Sequence, residues 1–368
     1  MNRLSRAAVA GIAVFIAASV ALLGCAEKPY GMNDFAEVAK IDAHVHINST
    51  DPTFFDVARE NNFRLLSINT DYADFPPIEE QRRVARELIG SYPDRIAFAA
   101  TFRMAGWDEP GWLERAVRTL DSSVAEGAIA VKLWKNIGME FRDRDSVLVM
   151  IDNPRLDPVL DHLRGKGIPI VGHQGEPRDC WFPADEMRVL DLREYYGAHP
   201  QFHMHLHPDM PSYEAQIAAR DRMLGKHMDV DFMGAHLGSL EWSVDSLGAF
   251  LDRYPRAVVD LAARMSQLQY QSTRDREKVR KFFVNFQDRI VYATDIIQEQ
   301  GADAASLKQA IHAVWLNDWK YLCTDSMMTV RDLDKSFQGL QLPREVVDKV
   351  YRLNAERVFA KAWKPHNL

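Results

Sequence analysis

The stretch KIDAHVHINS, residues 40–49, decides how the rest of the chain is read. An apolar run of this length with period two is strand-like, and alternation puts Asp42, His44 and His46 on one face and Ala43, Val45 and Ile47 on the other. Histidine is not a favoured strand filler, so two on one face ask for partners from other strand ends. Seven further β-prone runs follow: 64–69, 95–101, 128–134, 168–173, 230–236, 256–261 and 289–295. Helical patterns fall between most of them, at 79–91, 111–126, 155–165, 242–254 and 274–286, and another at 344–358 closes the chain. Strands alternating with helices imply βαβ units and a parallel sheet. Eight of them favour an α/β fold of the (β/α)₈ TIM type, with long insertions after strands 5 and 8, at 174–229 and 296–343. The competing open doubly wound sheet is disfavoured as a dinucleotide binder, because no G-x-G-x-x-G turn follows the first strand.

The same alternation puts Ala128, Ala130, Lys132 and Trp134 on the inward side of the fourth strand and Ile129, Val131 and Leu133 on the helix side. The fifth strand ends at His173, the sixth at His236 and the eighth at Asp295. These are carboxyl ends, where barrel enzymes place their chemistry. Several imidazoles and one carboxylate with open positions suit Zn²⁺ or a similar divalent ion. Each residue has a plainer role when taken alone: a hydrogen-bonded strand-end histidine, a turn-capping Asp295, or Lys132 paired with Asp42 or Asp295. Five strands ending in compatible groups favour the metal site.

The ordered set H-x-H, Lys, His, His, Asp, with "IDAHVHI", "GAHLGS", "VYATD" and "VYRLNAERVF", resembles the amidohydrolase superfamily, and most of all its amidohydrolase-related branch, over about residues 38–361. The resemblance implies His44, His46, His173 and Asp295 as ligands of one divalent metal. It implies His236 as the catalytic histidine or a second-metal ligand, and Lys132 as a residue carboxylated where two ions bind. Metal-assisted hydrolysis of an amide, lactone or other ester follows, with Asp295 moving the proton and His236 stabilising the oxyanion. The alternative on the same scaffold is non-oxidative decarboxylation of a small carboxylic acid. A tethered binding protein without turnover is the third reading, and the intact ligand set argues against it. For the small-molecule substrate, Glu176, Arg178, His207, Arg264 and Trp134 are the candidate contacts. The alternating His203, His205 and His207 read first as a polar lid strand.

The first 24 residues read differently. Arg3 and Arg6 precede an uncharged apolar run from Ala7 to Gly24, and Leu22-Leu23-Gly24-Cys25 resembles a bacterial lipobox. That implies a signal peptide over 1–24, lipidation of Cys25, a polar tether to residue 38 and a barrel domain over 39–368. The body would then sit on the periplasmic side of the cell envelope, anchored to membrane by lipid. An uncleaved anchor is the alternative. Net charge is −7 and no long basic stretch occurs, which argues against nucleic acid as a partner. Cys180 and Cys323 share no spacing motif and read as separate thiols as readily as a pair. A homo-oligomer is left open.

Overall fold

The computed structural model describes residues 28–363, so the segment read as a signal peptide and Cys25 lie outside the described residues. Nine parallel strands form one sheet: β1 (Lys40–Ile47), β2 (Phe63–Ile68), β3 (Ile96–Ala100), β4 (Ala128–Leu133), β5 (Ile170–Gly172), β6 (Phe232–Gly234), β7 (Ala257–Asp260), β8 (Ile290–Val291) and β9 (Ile297–Gln298). Each of β1 to β7 pairs with the next in sequence, β7 pairs with β8, and β9 pairs with β1. β8 and β9 are two ends of one interrupted strand. Between them the Ala43 N–H donates to the Tyr292 carbonyl at 3.0 Å and the Asp295 N–H to the His44 carbonyl at 2.7 Å, which closes the TIM-type barrel. The interruption is at Asp295, whose φ of +68° is a left-handed conformation few non-glycine residues adopt.

Two apolar layers result. Val45, Ile47, Leu65, Val131, Leu133, Phe232 and Val259 pack outward against the helices. Ile41, Ala43, Leu66, Ala97, Ile129, Val171, Met233, Val258 and Val291 fill the barrel, which Phe359 and Trp363 plug from the amino-terminal end. This corrects the strict alternation expected for two strands. Ile41, Ala43 and Ile129 face inward, whereas Asp42 leaves the histidine face: its Oδ2 accepts from Trp315 Nε1 at 2.9 Å and from the Thr294 hydroxyl at 2.6 Å. The cause is a register shift between Asp42 and Val45 in β1. A second lies where Phe98–Ala99 pair with Ala128 and Ala130. One extra residue flips every side chain beyond it. Both bulged strands can therefore carry an apolar lower interior and a polar upper one.

The expected helices form, at Ile78–Ser91, Trp112–Ala125, Asp157–Gly165, Val244–Arg253 and, starting earlier than expected, Met265–Asn285. Thr53–Glu60, Leu190–Ala198 and Ala304–Cys323 were not anticipated. The last occupies much of the segment read as an insertion, and it buries Trp315, Trp319 and Tyr321 against the barrel. The polar tether also needs correction. From Tyr30 the chain packs on the barrel, with the Tyr30 hydroxyl donating to Asp348 and Trp319 Nε1 to the Gly31 carbonyl. Cys180 and Cys323 are both free and buried. Among the described residues no helix is long and apolar enough to cross a membrane.

Candidate metal centre and active site

The carboxyl ends of the strands enclose a cavity of about 250 Å³, lined by His46, Lys132, Trp134, His173, His236 and Asp295 among others. His44 lies just beneath it, fully buried. Three of the four imidazoles are anchored through Nδ1. His44 Nδ1 donates to Asp260 Oδ2 at 2.8 Å, His46 Nδ1 to the Ile68 carbonyl at 2.7 Å, and His236 Nδ1 to the Ala262 carbonyl at 3.0 Å. A carbonyl can only accept, so the proton is fixed on Nδ1 of His46 and His236 and their Nε2 atoms carry lone pairs. The His46 lone pair meets an acceptor, Asp295 Oδ1 at 3.1 Å, and His44, its Nδ1 donating to Asp260, turns a bare Nε2 to the same oxygen at 3.3 Å. Lys132 Nζ reaches only His44 Nε2, at 3.2 Å, and a cation among all three atoms would satisfy acceptors this close. Ligand atoms around an ion with bonds of about 2.1 Å stand roughly 3.0–3.4 Å apart, which fits.

A proton could play that part only if the imidazoles would take one. Burial, then Lys132, push His44 below its ordinary value; burial also pushes His173 and His236 well below theirs. Burial works to neutralise Asp295, but His236, His44 and His46 around it outweigh that and hold its carboxyl well below the usual range. The site thus joins an anion to three imidazoles, His44, His173 and His236, whose burial disfavours protonation, and a divalent cation suits that set. His44, His236 and Asp295 present ligand atoms all within 4.8 Å of one another.

His173 falls outside that tight trio. Its ring centre lies 4.2 Å from that of His236, the two planes tilted by 59°, and its buried Nε2 has no hydrogen-bond partner, lying 3.7 Å from Glu176 Oε2. Lys132 Nζ lies 3.2 Å from His44 Nε2, and burial lowers its pKa to about 8. His236 adopts φ +58°, a strained left-handed backbone, with its N–H donating to Asp260 Oδ1 at 2.7 Å. Asp260 therefore organises two histidines at once.

Of the candidate substrate contacts, Trp134 lines the cavity. Glu176 is buried behind it in an ion pair with Lys135, which does line the cavity. Three others do not line it. Arg178 lies 4.5 Å over the Trp242 ring, and its N–H donates to Glu241. Arg264 spends Nη1 on the Ala263 carbonyl, and its buried Nε has no partner. His207 Nε2 binds the Pro200 carbonyl at the surface. The segment around His203, His205 and His207 is not an extended strand but two 3₁₀ turns, Pro200–Phe202 and Met204–Leu206. Missed by sequence reasoning were Lys135 and the walls Tyr72, Phe75, Tyr195 and His199. Lys135 alone left a signal, as the polar neighbour of Trp134 at a strand end.

The amidohydrolase family model matches residues 41–361, nearly all of the described chain. The chain belongs to the amidohydrolase family. Among solved structures, this amidohydrolase is similar to an uncharacterised TIM-barrel protein from Bordetella bronchiseptica, with TM-score 0.52 at 12% identity over 89% of this chain and 100% of that one. Amidohydrolase 2 from Bifidobacterium longum subsp. infantis gives TM-score 0.45 at 12% identity, over 88% and 99% of the two chains. A lactonase from Listeria monocytogenes gives 0.42 at 12%, over 88% and 95%. The first shows a shared barrel fold. Comparison with curated proteins gives no match.

Proposed function

We propose that this amidohydrolase is a metal-dependent hydrolase that opens an amide, lactone or other ester bond of a small molecule, with Zn²⁺ as its resident ion. The observation that carries the reading is the pair of imidazole lone pairs facing Asp295 Oδ1 at 3.1 and 3.3 Å. His44, His46, His173 and Asp295 would hold one ion; His236, with Lys132 carboxylated, would add a second, weaker position. The neutral amine that CO₂ needs is available at a lysine of pKa about 8. When bound, the ion lowers the pKa of a water toward about 7 and polarises the substrate carbonyl.

The rest falls to the chain's own groups. Asp295, ionised and partly open to the cavity, accepts the water's proton at a carboxylate oxygen and returns it to the leaving group. His236 cannot donate to a developing oxyanion, because its one proton is committed to the Ala262 carbonyl. Its bare Nε2 serves instead as a ligand or as the acceptor that orients the water. Asp260 fixes the His44 tautomer, and Trp134 and Phe75 restrict bulk water.

Lys132 in the cavity wall also suits a carboxylate, which favours decarboxylation as the second reading. A mass balance on the metal-loaded protein separates them. Water consumed with no CO₂ supports hydrolysis; CO₂ released with no water uptake makes the enzyme a lyase. We further propose that acylated Cys25 tethers the body on the periplasmic side. Cys25→Ser should then move it to the soluble fraction, whereas retention in membranes would mean an uncleaved anchor.

A further inference from the structure

The chain is docked on the barrel from its first described residues. The Lys28 carbonyl accepts from Arg344 Nε, and the Arg344 guanidinium lies 4.2 Å over the Tyr30 ring. The Tyr30 hydroxyl donates to Asp348 at 3.0 Å, and Trp319 Nε1 donates to the Gly31 carbonyl at 3.0 Å. Further on, Lys40 Nζ donates to the Val38 carbonyl at 2.6 Å. In the sequence only Ala26 and Glu27 separate Lys28 from Cys25. Three residue steps span at most about 11 Å, even fully extended. A body of this size is about 50 Å across. A tether at Cys25 therefore cannot reach around the molecule, and the surface beside Lys28 is the one it holds at the bilayer.

The helix Ala304–Cys323 locates that surface. Trp315 Nε1 reaches Asp42 Oδ2 at 2.9 Å, while Lys40 Nζ lies 5.3 Å from the centre of the Trp319 ring. One turn forward along the helix is thus two residues back along β1. The helix runs antiparallel to the strand, and its C-cap, Thr324, lies beyond the strand's amino end. Lys28 lines one surface hollow together with Thr324, Asp325, Gln341 and Arg344. The metal cavity opens at the other end of β1, where His46 lines it. From Lys40 to His46 the strand rises about 20 Å. Tether and mouth are therefore at opposite ends of the barrel.

We propose that the amino-terminal rim of the barrel around Lys28, Asp325 and Arg344 is the face that rests against the membrane, and that the metal cavity opens into the water on the far side. The inference rests on the proposed tether at Cys25 and goes beyond it by fixing the orientation of the body. It also narrows the substrate to a molecule dissolved in the aqueous phase. A lipid held in the bilayer would have to cross at least about 20 Å of protein height to reach His46.

The test uses the full chain, processed and acylated, in vesicles of phosphatidylethanolamine and phosphatidylglycerol that carry a rhodamine-labelled lipid as energy acceptor. Cys180 and Cys323 are buried, so a donor dye can be directed to one introduced thiol. Asp325→Cys puts it on the rim. Leu206→Cys puts it at an exposed residue of the insertion that supplies Tyr195 and His199 to the cavity wall. Transfer to the bilayer should be several-fold stronger from position 325 than from position 206. A Gly/Ser insertion of about twenty residues between Glu27 and Lys28, with a mean reach of about 25 Å, should erase most of that difference. Equal transfer from the two positions, or stronger transfer from 206, overturns the face assignment alone. A difference untouched by the insertion overturns the short tether as its cause. A chain that stays out of the vesicle fraction overturns the tether reading and the face assignment with it.

Discussion

Asp260→Asn isolates the group that prepares the centre without touching the cavity. Asp260 is fully buried; its Oδ2 takes the His44 Nδ1 proton at 2.8 Å, and its Oδ1 takes the N–H groups of His236 at 2.7 Å and Ala262 at 3.2 Å. Burial opposes its ionisation, but the groups around it, the His44 hydrogen bond among them, outweigh that and hold its pKa below the usual value. An asparagine can keep Oδ1 on the two backbone donors, so the loop after β6 should hold its shape. Its NH₂ then faces His44 Nδ1, where a second donor cannot be accommodated. The imidazole must move its proton to Nε2, which removes the lone pair aimed at Asp295. Loss of such an orienting partner typically costs 10–100-fold in metal affinity, about 1.4–2.7 kcal/mol. Competition for Zn²⁺ against a chromophoric chelator measures this directly, with circular dichroism as the control for folding. A folded variant that binds Zn²⁺ within twofold of the parent would refute the tautomer argument.

Other consequences are checked separately. Asp295→Asn should abolish turnover while the urea midpoint barely moves, because its side chain is partly exposed and the backbone N–H bond to His44 is kept; activity within tenfold of the parent would remove Asp295 from proton transfer. Burial raises the Asp318 pKa to about 7, with Tyr292 donating to its Oδ2 at 2.9 Å. Between about pH 4 and 7 the folded chain therefore holds a proton that the unfolded chain has lost. This makes stability fall as pH rises through that window, by at most about 1.4 kcal/mol per pH unit. Asp318→Asn should flatten that slope in urea titrations at pH 5, 6 and 7, and an unaltered slope would show that other groups carry it. Gly172→Ala would place a Cβ 2.2 Å from the Phe232 ring, one residue before His173. Overpacking of that kind costs about 1–3 kcal/mol, readable as a lower urea midpoint.

Much of this was legible in the chain because period and strand ends are local signals. His44, His46, Lys132, His173, His236 and Asp295 close strands that a sequence pattern can find, and the barrel brings them together. The bulges in β1 and β4 were not legible: one extra residue leaves the apolar content of KIDAHVHI unchanged, and only pairing with β2 shows that Asp42 has turned toward Trp315. The helix Ala304–Cys323 was hidden because its buried tryptophans face a barrel wall that does not exist in one dimension. For the same reason Arg178, Arg264 and His207 looked like substrate contacts. Each is near a strand end or insertion in sequence, yet partners distant in sequence or local carbonyls claim them. Tyr195 and His199 reach the cavity from within the 174–229 insertion, whose path depends on contacts such as Cys180 Sγ donating to the Phe202 carbonyl.

Anomalous diffraction at the zinc edge, paired with elemental analysis of the same crystals, bears most directly on the centre itself. The expected result is a bound ion with its peak among His44 Nε2, His46 Nε2 and Asp295 Oδ1. An ion-free protein that turns over substrate undiminished, or a peak far from Asp295, would contradict the account.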